Sequence, residues 1–173
     1  MCLDDIFVSG SYERSFSEIP DICYRIRAQN PGSIACWKIN RKTKEFEGLC
    51  IAYKASIDGF KDGCRPLIAL DGFPLKTKFR GAVLTACSVD GENAMFPVAI
   101  YICRTETLQA WRRFITIIAS SLKEFSKPIT FFSDHENGET LVSYMYSILL
   151  RKNVFGVPND VECCPYRREC CRC

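Results

Sequence analysis

Apolar residues recur along this chain at two periods, one helical and one alternating. From Phe16 to Ala28 they fall at Phe16, Ile19, Cys23 and Ile26, a helical spacing with Pro20 near its first turn. Asn30-Pro31-Gly32-Ser33 reads as a turn. Ile34 to Ile39 and Phe46 to Tyr53 then read as the two strands of a hairpin, joined by the charged run Arg41-Lys42-Thr43-Lys44-Glu45. Gly59-Phe60-Lys61-Asp62-Gly63 reads as a loop leading into the next strand, Arg65 to Asp71. Ala82 to Val89 and Met95 to Cys103 are two more strands, with Asp90-Gly91-Glu92-Asn93 turning between them. Short connections make these three antiparallel neighbours.

Thr107 to Phe125 returns to the helical period. Leu108, Trp111, Phe114, Ile115, Ile118, Leu122 and Phe125 share one broad face, and Glu106 is expected in the first turn, where a negative charge suits the helix dipole. Pro128 to Asp134 is a short apolar run ending in an acid. A helical crossover makes it parallel to the Asp71 strand if it returns beside it. Asn137 to Leu150 reads as another helix, with Leu141, Met145, Ile148 and Leu149 facing inward. No apolar period continues past Arg151, so residues from about Asn153 onward are expected to lack regular structure.

The expected class is α+β passing into α/β. A helix-plus-hairpin unit (residues 1–54) precedes a core of three antiparallel strands, helix, parallel strand and helix (55–152), and an irregular Cys/Arg-rich tail follows (153–173). That order matches the first two thirds of a ribonuclease-H-like fold, in which the first and fourth strands lie side by side. A chain cut at that point is expected to leave an apolar sheet edge and to self-associate.

Composition narrows the setting. The 173 residues are 47% hydrophobic, enough for a real core, and the net charge of +3 is too small to announce a nucleic-acid partner by itself. No stretch approaches the roughly 18 apolar residues of a membrane span. The start, Met1-Cys2-Leu3-Asp4-Asp5, is acidic and unlike a secretory signal. An intracellular location with reduced thiols is therefore expected for the 12 cysteines. Seven are scattered beside apolar residues and behave as small hydrophobes. The other five crowd the end as Cys163-Cys164 and Cys170-Cys171-x-Cys173, without the separated C-x-x-C pairs or histidine of a zinc site, so a reactive tail is expected there.

Two carboxylates carry the candidate chemistry. Asp71 and Asp134 each close a short apolar strand, where α/β folds place their sites. Two Asp on neighbouring strands can share a divalent cation, since hard carboxylate oxygens are what Mg²⁺ takes, and that points to metal-assisted phosphodiester chemistry. On residue pattern alone they read slightly better as turn aspartates. Arg65 before the Asp71 strand, with Lys76, Lys78 and Arg80 after it, are candidate phosphate contacts, or else solvated loop charges. Trp111, at helical spacing with Phe114, reads as core rather than a base-stacking platform. His135 is the chain's one histidine.

A longer set of residues gives those aspartates a context. Gly59-Phe60, Gly63-Cys64-Arg65-Pro66, Leu70-Asp71-Gly72, Leu75-Lys76 and Gly81 are followed by Leu84, Ala86, Asp90-Gly91-Glu92-Asn93 and Phe96-Pro97-Val98-Ala99. Glu106, Trp111, Phe114, Ser133-Asp134 and Gly138 complete the series. In order and spacing this resembles the Mutator-like element transposases of plant genomes, over roughly residues 12 to 138. The resemblance implies a DNA transposase with a catalytic Asp-Asp-Glu set on a ribonuclease-H-like sheet. It carries the first acid onto Asp71 and the second onto Asp134, with Mg²⁺ or Mn²⁺ as cofactor. It also implies DNA as partner and the nucleus as location, with no small-molecule substrate. The chain departs from the family after Gly138. A segment with a Cys between two His, a helical insertion and the third acid on a late helix are not recognisable. Glu136 and Glu139 follow Asp134 too closely to stand in for that acid, and neither Glu162 nor Glu169 lies in a matching context. The resemblance thus implies a transposase-derived protein without a complete active site. A non-catalytic DNA- or protein-binding descendant and an inert fragment are the alternatives.

Overall fold

In a computed structural model, the structure describes residues 16–40, 42–43, 45–76, 80–123, 125, 128–133, 143–145 and 147. Helix α1 (Ile19–Gln29) carries Pro20 in its first turn, where a missing N–H costs nothing, and its Asn30 N–H closes onto the Ile26 carbonyl. Strands β1 (Ile34–Ile39) and β2 (Phe46–Ala52) form the expected hairpin. Asn40 shapes the turn by accepting the backbone N–H groups of Lys42 and Thr43.

Lys54–Gly63 is helix α2, not the loop its two glycines suggest. Ile57 and Phe60, three residues apart, are 3% and 0% exposed, and their burial outweighs the propensity cost of Gly59. Gly59 serves a purpose there. A Cβ at that position would stand 2.8 Å from the Phe96 ring, so its absence lets the helix lie close on the sheet.

Strands β3 (Leu67–Pro74), β4 (Ala82–Val89) and β5 (Met95–Cys103) follow, then helix α3 (Leu108–Leu122) and strand β6 (Thr130–Ser133). The β4–β5 turn is closed by Asp90, whose Oδ1 accepts the N–H groups of Glu92 and Ala94, each at 2.9 Å. Thr107 caps α3 by accepting the Ala110 N–H at 3.1 Å. Glu106 therefore precedes the helix and does not join its first turn as expected. Residues 143–145 and 147 are helical within the span expected to form the next helix, and Met145 is buried against the core. Leu141, Ile148 and Leu149 lie outside the described residues, as does the Cys/Arg-rich tail.

All six strands belong to one mixed sheet in the order β1-β2-β5-β4-β3-β6, so the architecture is α+β. Every pairing is antiparallel except that of β3 with β6, which is parallel. The β1–β2 hairpin extends this sheet through β5, so the change of character near residue 54 falls within one continuous sheet. One face takes α2 and α3 and holds the main core, with Trp111, Phe114, Tyr101, Leu84 and Ile68 fully or nearly fully buried. The other face is covered at β1 and β2 by α1, through Ile19, Cys23, Ala35 and Leu49. Cys23, Cys36, Cys50 and Cys103 are buried in the apolar clusters, as expected for small hydrophobes.

Candidate functional site

Residues of β3 alternate between the two faces, as a strand requires. Ile68 and Leu70 are buried in the main core, whereas Asp71 is exposed and points to the opposite face with Ala69 and Phe73. Asp71 pairs with Thr85 of β4, whose hydroxyl donates to the Asp71 carbonyl at 3.1 Å. The carboxylate stands among apolar neighbours open to solvent, with Phe73 45% exposed on its own strand and Phe132 49% exposed on β6. Cys87 lies on the same face. Burial pushes its thiol up, a hydrogen bond with Thr85 opposes this, and the Asp71 charge adds to the rise, so Cys87 is held as the neutral thiol.

The parallel pairing of β3 with β6 runs from Leu67 opposite Thr130 to Leu70 opposite Ser133. The residues immediately before Asp71 and Asp134 are thus paired where the β6 ladder ends, but β3 runs on to Pro74 because it keeps pairing with β4, so Asp71 lies within its strand and does not close it as expected. Asp134 itself, with His135, Glu136, Glu139, Glu162 and Glu169, lies outside the described residues. Among the described residues, no three His, Cys, Asp or Glu side chains gather as a metal-binding group. Of the two candidate acids, Asp71 is the one described, and its exposed carboxylate offers hard oxygens of the kind a divalent cation takes.

Glu106 packs against β3 at Gly72, on the face opposite the one Asp71 takes. Its Oε1 accepts the Trp111 indole N–H at 3.0 Å. A Cβ on Gly72 would lie 2.5 Å from that same oxygen, so the carboxylate packs directly against the glycine backbone. Gly72 follows Leu70 on the α3 side of the sheet, opposite the side Asp71 faces. The arrangement ties β3 to the start of α3 and uses Gly72 for a close approach. A glycine inside a strand was the signal available in the sequence.

The candidate basic residues divide into two groups. Arg65 is exposed before the start of β3, where its N–H donates to the Val89 carbonyl and its carbonyl accepts the Ser88 hydroxyl. Lys76 and Arg80 are exposed beyond the far end of the strand. The eight residues of β3 separate the two groups by roughly 25 Å. Lys78 lies outside the described residues. Lys76 and Arg80 line an open cavity of about 600 Å³ together with Arg104, a residue the sequence did not single out, and with Glu106. Trp111 is fully buried, the core residue it was expected to be. Arg113, its neighbour but one on α3, donates to Glu47, which Lys38 also meets at 3.3 Å.

No helix among the described residues is long and apolar enough to cross a membrane. Comparison with protein-family models, with curated proteins and with solved structures gives no match for this chain.

Proposed function

We propose that this chain is a transposase-derived protein with a ribonuclease-H-like core, related to the Mutator-like element transposases and catalytically incomplete. The observation that carries the reading is the parallel pairing of β3 with β6, which ends at Leu70 opposite Ser133. It puts the strands that lead into Asp71 and Asp134 side by side. The order β5-β4-β3-β6, three antiparallel strands followed by one parallel to the first of them, supports the same reading. The order and spacing of the motifs from Gly59 to Gly138 support the relationship to this family.

The chemistry of that reading is phosphodiester cleavage and strand transfer on DNA, in the nucleus. A bound Mg²⁺ or Mn²⁺ pair supplies Lewis-acid polarisation and an activated water or 3′-hydroxyl. Asp71 and Asp134 provide the hard oxygens for such ions, and the exposure of Asp71 on an open face leaves room for a bulky substrate. A third acid normally fixes the geometry. Glu106 does not serve, because it is committed to Trp111 on the other face of the sheet. Held by Asp71 and Asp134 alone, such ions would be loosely placed, and the preorganised stabilisation of the leaving oxygen would be lost. One such contact is commonly worth on the order of 10²–10³ in rate.

The test is strand cleavage and strand transfer on DNA ends by the purified chain with Mg²⁺ or Mn²⁺. No product is expected. Metal-dependent cleavage that disappears in Asp71→Asn and in Asp134→Asn would falsify incompleteness and make the chain an enzyme.

A further inference from the structure

We infer that the cavity beyond the end of β3, walled by Lys76, Arg80 and Arg104, binds the phosphate backbone of a nucleic-acid strand. The inference rests on the proposed function for the identity of the partner and deepens it by locating the contact.

The cavity is shaped by the backbone. The Leu75 N–H donates to the Gly81 carbonyl at 2.9 Å and closes the base of the β3–β4 connection. Arg80 and Gly81 both take positive φ, 53° and 137°, which reverses the chain there. A Cβ on Gly81 would stand 3.1 Å from the Cys103 carbonyl oxygen, so the connection packs tightly on the end of β5. That contact brings Arg104, at the end of β5, beside Lys76 and Arg80, which are 24 or more residues earlier in the chain.

Charge favours an anion. Three cations line the cavity against one carboxylate, Glu106, whose Oε1 is already engaged by the Trp111 N–H. Arg104 also meets Glu45 through Nη1 at 2.6 Å. That contact uses one nitrogen of a guanidinium with five N–H donors, and both side chains are more than half exposed, so a phosphate can share or displace Glu45. Two arginines and a lysine around an open, solvent-filled cleft suit phosphate oxygens rather than a buried neutral ligand.

Distance favours a polymer over a small anion. The cavity begins at Pro74, three residues beyond Asp71, which is about 10 Å along the strand. At a rise of about 3.4 Å per nucleotide that distance is roughly three nucleotides. Glu106 puts the cavity on the α3 side of the sheet while Asp71 faces the other side, so only a polymer that passes round the end of the sheet could touch both. Arg65, at the far end of β3, takes no part.

The experiment is fluorescence anisotropy with a labelled DNA duplex across a salt series, on the full chain. Lys76→Ala/Arg80→Ala/Arg104→Ala is compared with Arg25→Ala/Lys54→Ala/Lys61→Ala, which removes equal charge elsewhere. Each lost phosphate contact should flatten the slope of log K against log salt by about 0.9. The cavity variant should therefore lose about 2–3 units of slope and the other variant much less. A variant carrying Arg80→Lys and Arg104→Lys should keep most of the slope, which separates lost charge from lost structure. Equal losses in the two triple variants, or none in the cavity variant, overturn the inference. Displacement of the duplex by inorganic phosphate beyond its ionic-strength effect also overturns it, by making this a small-anion site. Binding of Mn²⁺ is read separately with Asp71→Asn, so the cavity and the acid pair fail independently.

Discussion

On the face that takes α3, Leu84, Ala86, Ala99 and Tyr101 are no more than 4% exposed, while on the opposite face of the same sheet Asp71 and Phe73 of β3 stand open to solvent. The two sides differ in what fills them. The α3 side is so tightly packed that glycines are needed to admit side chains: Gly48 beneath the Tyr101 hydroxyl and Gly72 beneath Glu106. The Asp71 side, over β3 and β6, carries half-exposed apolar residues around a carboxylate. The contrast teaches that the closed face holds the fold and the open one is where chemistry can occur. The two should accordingly respond in opposite ways to substitution.

Trp111→Ala should give the largest effect. It empties a fully buried indole site and removes the N–H that Glu106 accepts. Loss of an aromatic of that size typically costs about 3–5 kcal/mol, read by urea unfolding. A loss below about 1 kcal/mol would break the comparison. Gly48→Ala should come next. The added methyl would lie 2.1 Å from the Tyr101 hydroxyl oxygen and 2.5 Å from the ring, and overpacking of this kind costs about 1–3 kcal/mol. Tyr101→Phe removes the closer contact but leaves Cζ at 2.5 Å, so it should rescue only part of that loss.

Tyr101 sharpens the comparison in a second way. Its hydroxyl is buried with no hydrogen-bond partner at close range among the described residues, although Arg113 lies near enough to influence it. Burial raises its pKa from 10.0 to about 12, with Arg113 opposing, and burial raises Cys103 from 9.0 to about 11. In both cases the folded chain holds a proton that the unfolded chain releases. Their contribution to stability is complete below pH 9, and it falls as pH rises through about 11 and 12. Tyr101→Phe should be neutral or stabilising by up to about 1 kcal/mol at neutral pH, since it removes an unpaired buried hydroxyl. It should also reduce the alkaline loss above pH 10. An alkaline profile identical in the two proteins would sink this point.

Asp71→Asn should have the smallest effect on stability, within about 0.5 kcal/mol, because the side chain is exposed and its strand is held by backbone pairing. A cost comparable to that of Gly48→Ala would mean that Asp71 is a structural residue and that the open face holds no site.

Much of this contrast was legible in the sequence. Strands β1, β4 and β5 match their expected limits because each is a short apolar run bounded by turn residues, and in Ala82–Val89 it is the burial that alternates. The parallel direction of β6 against β3 followed from the helix between them, while their adjacency followed only from the ribonuclease-H-like order of elements. Helix α2 was not legible, because Gly59 and Gly63 signal a loop locally and only burial of Ile57 and Phe60 decides otherwise. Glu106 misled for a related reason. Its position suits a first turn, but Thr107 is the better cap and frees Glu106 to reach Trp111. The cavity could not be seen because Arg104 meets Lys76 and Arg80 only after β5 has returned beside β4.

The account turns on Asp71 and Asp134 acting together on one cation. Titration of Mn²⁺ into the full chain, followed by electron paramagnetic resonance, tests this directly. The prediction is a weak site in the native chain, lost in Asp71→Asn and lost again in Asp134→Asn, with unfolding curves unchanged by Asp71→Asn. Retention of native binding in either single variant, or no Mn²⁺ binding by the native chain, would contradict it.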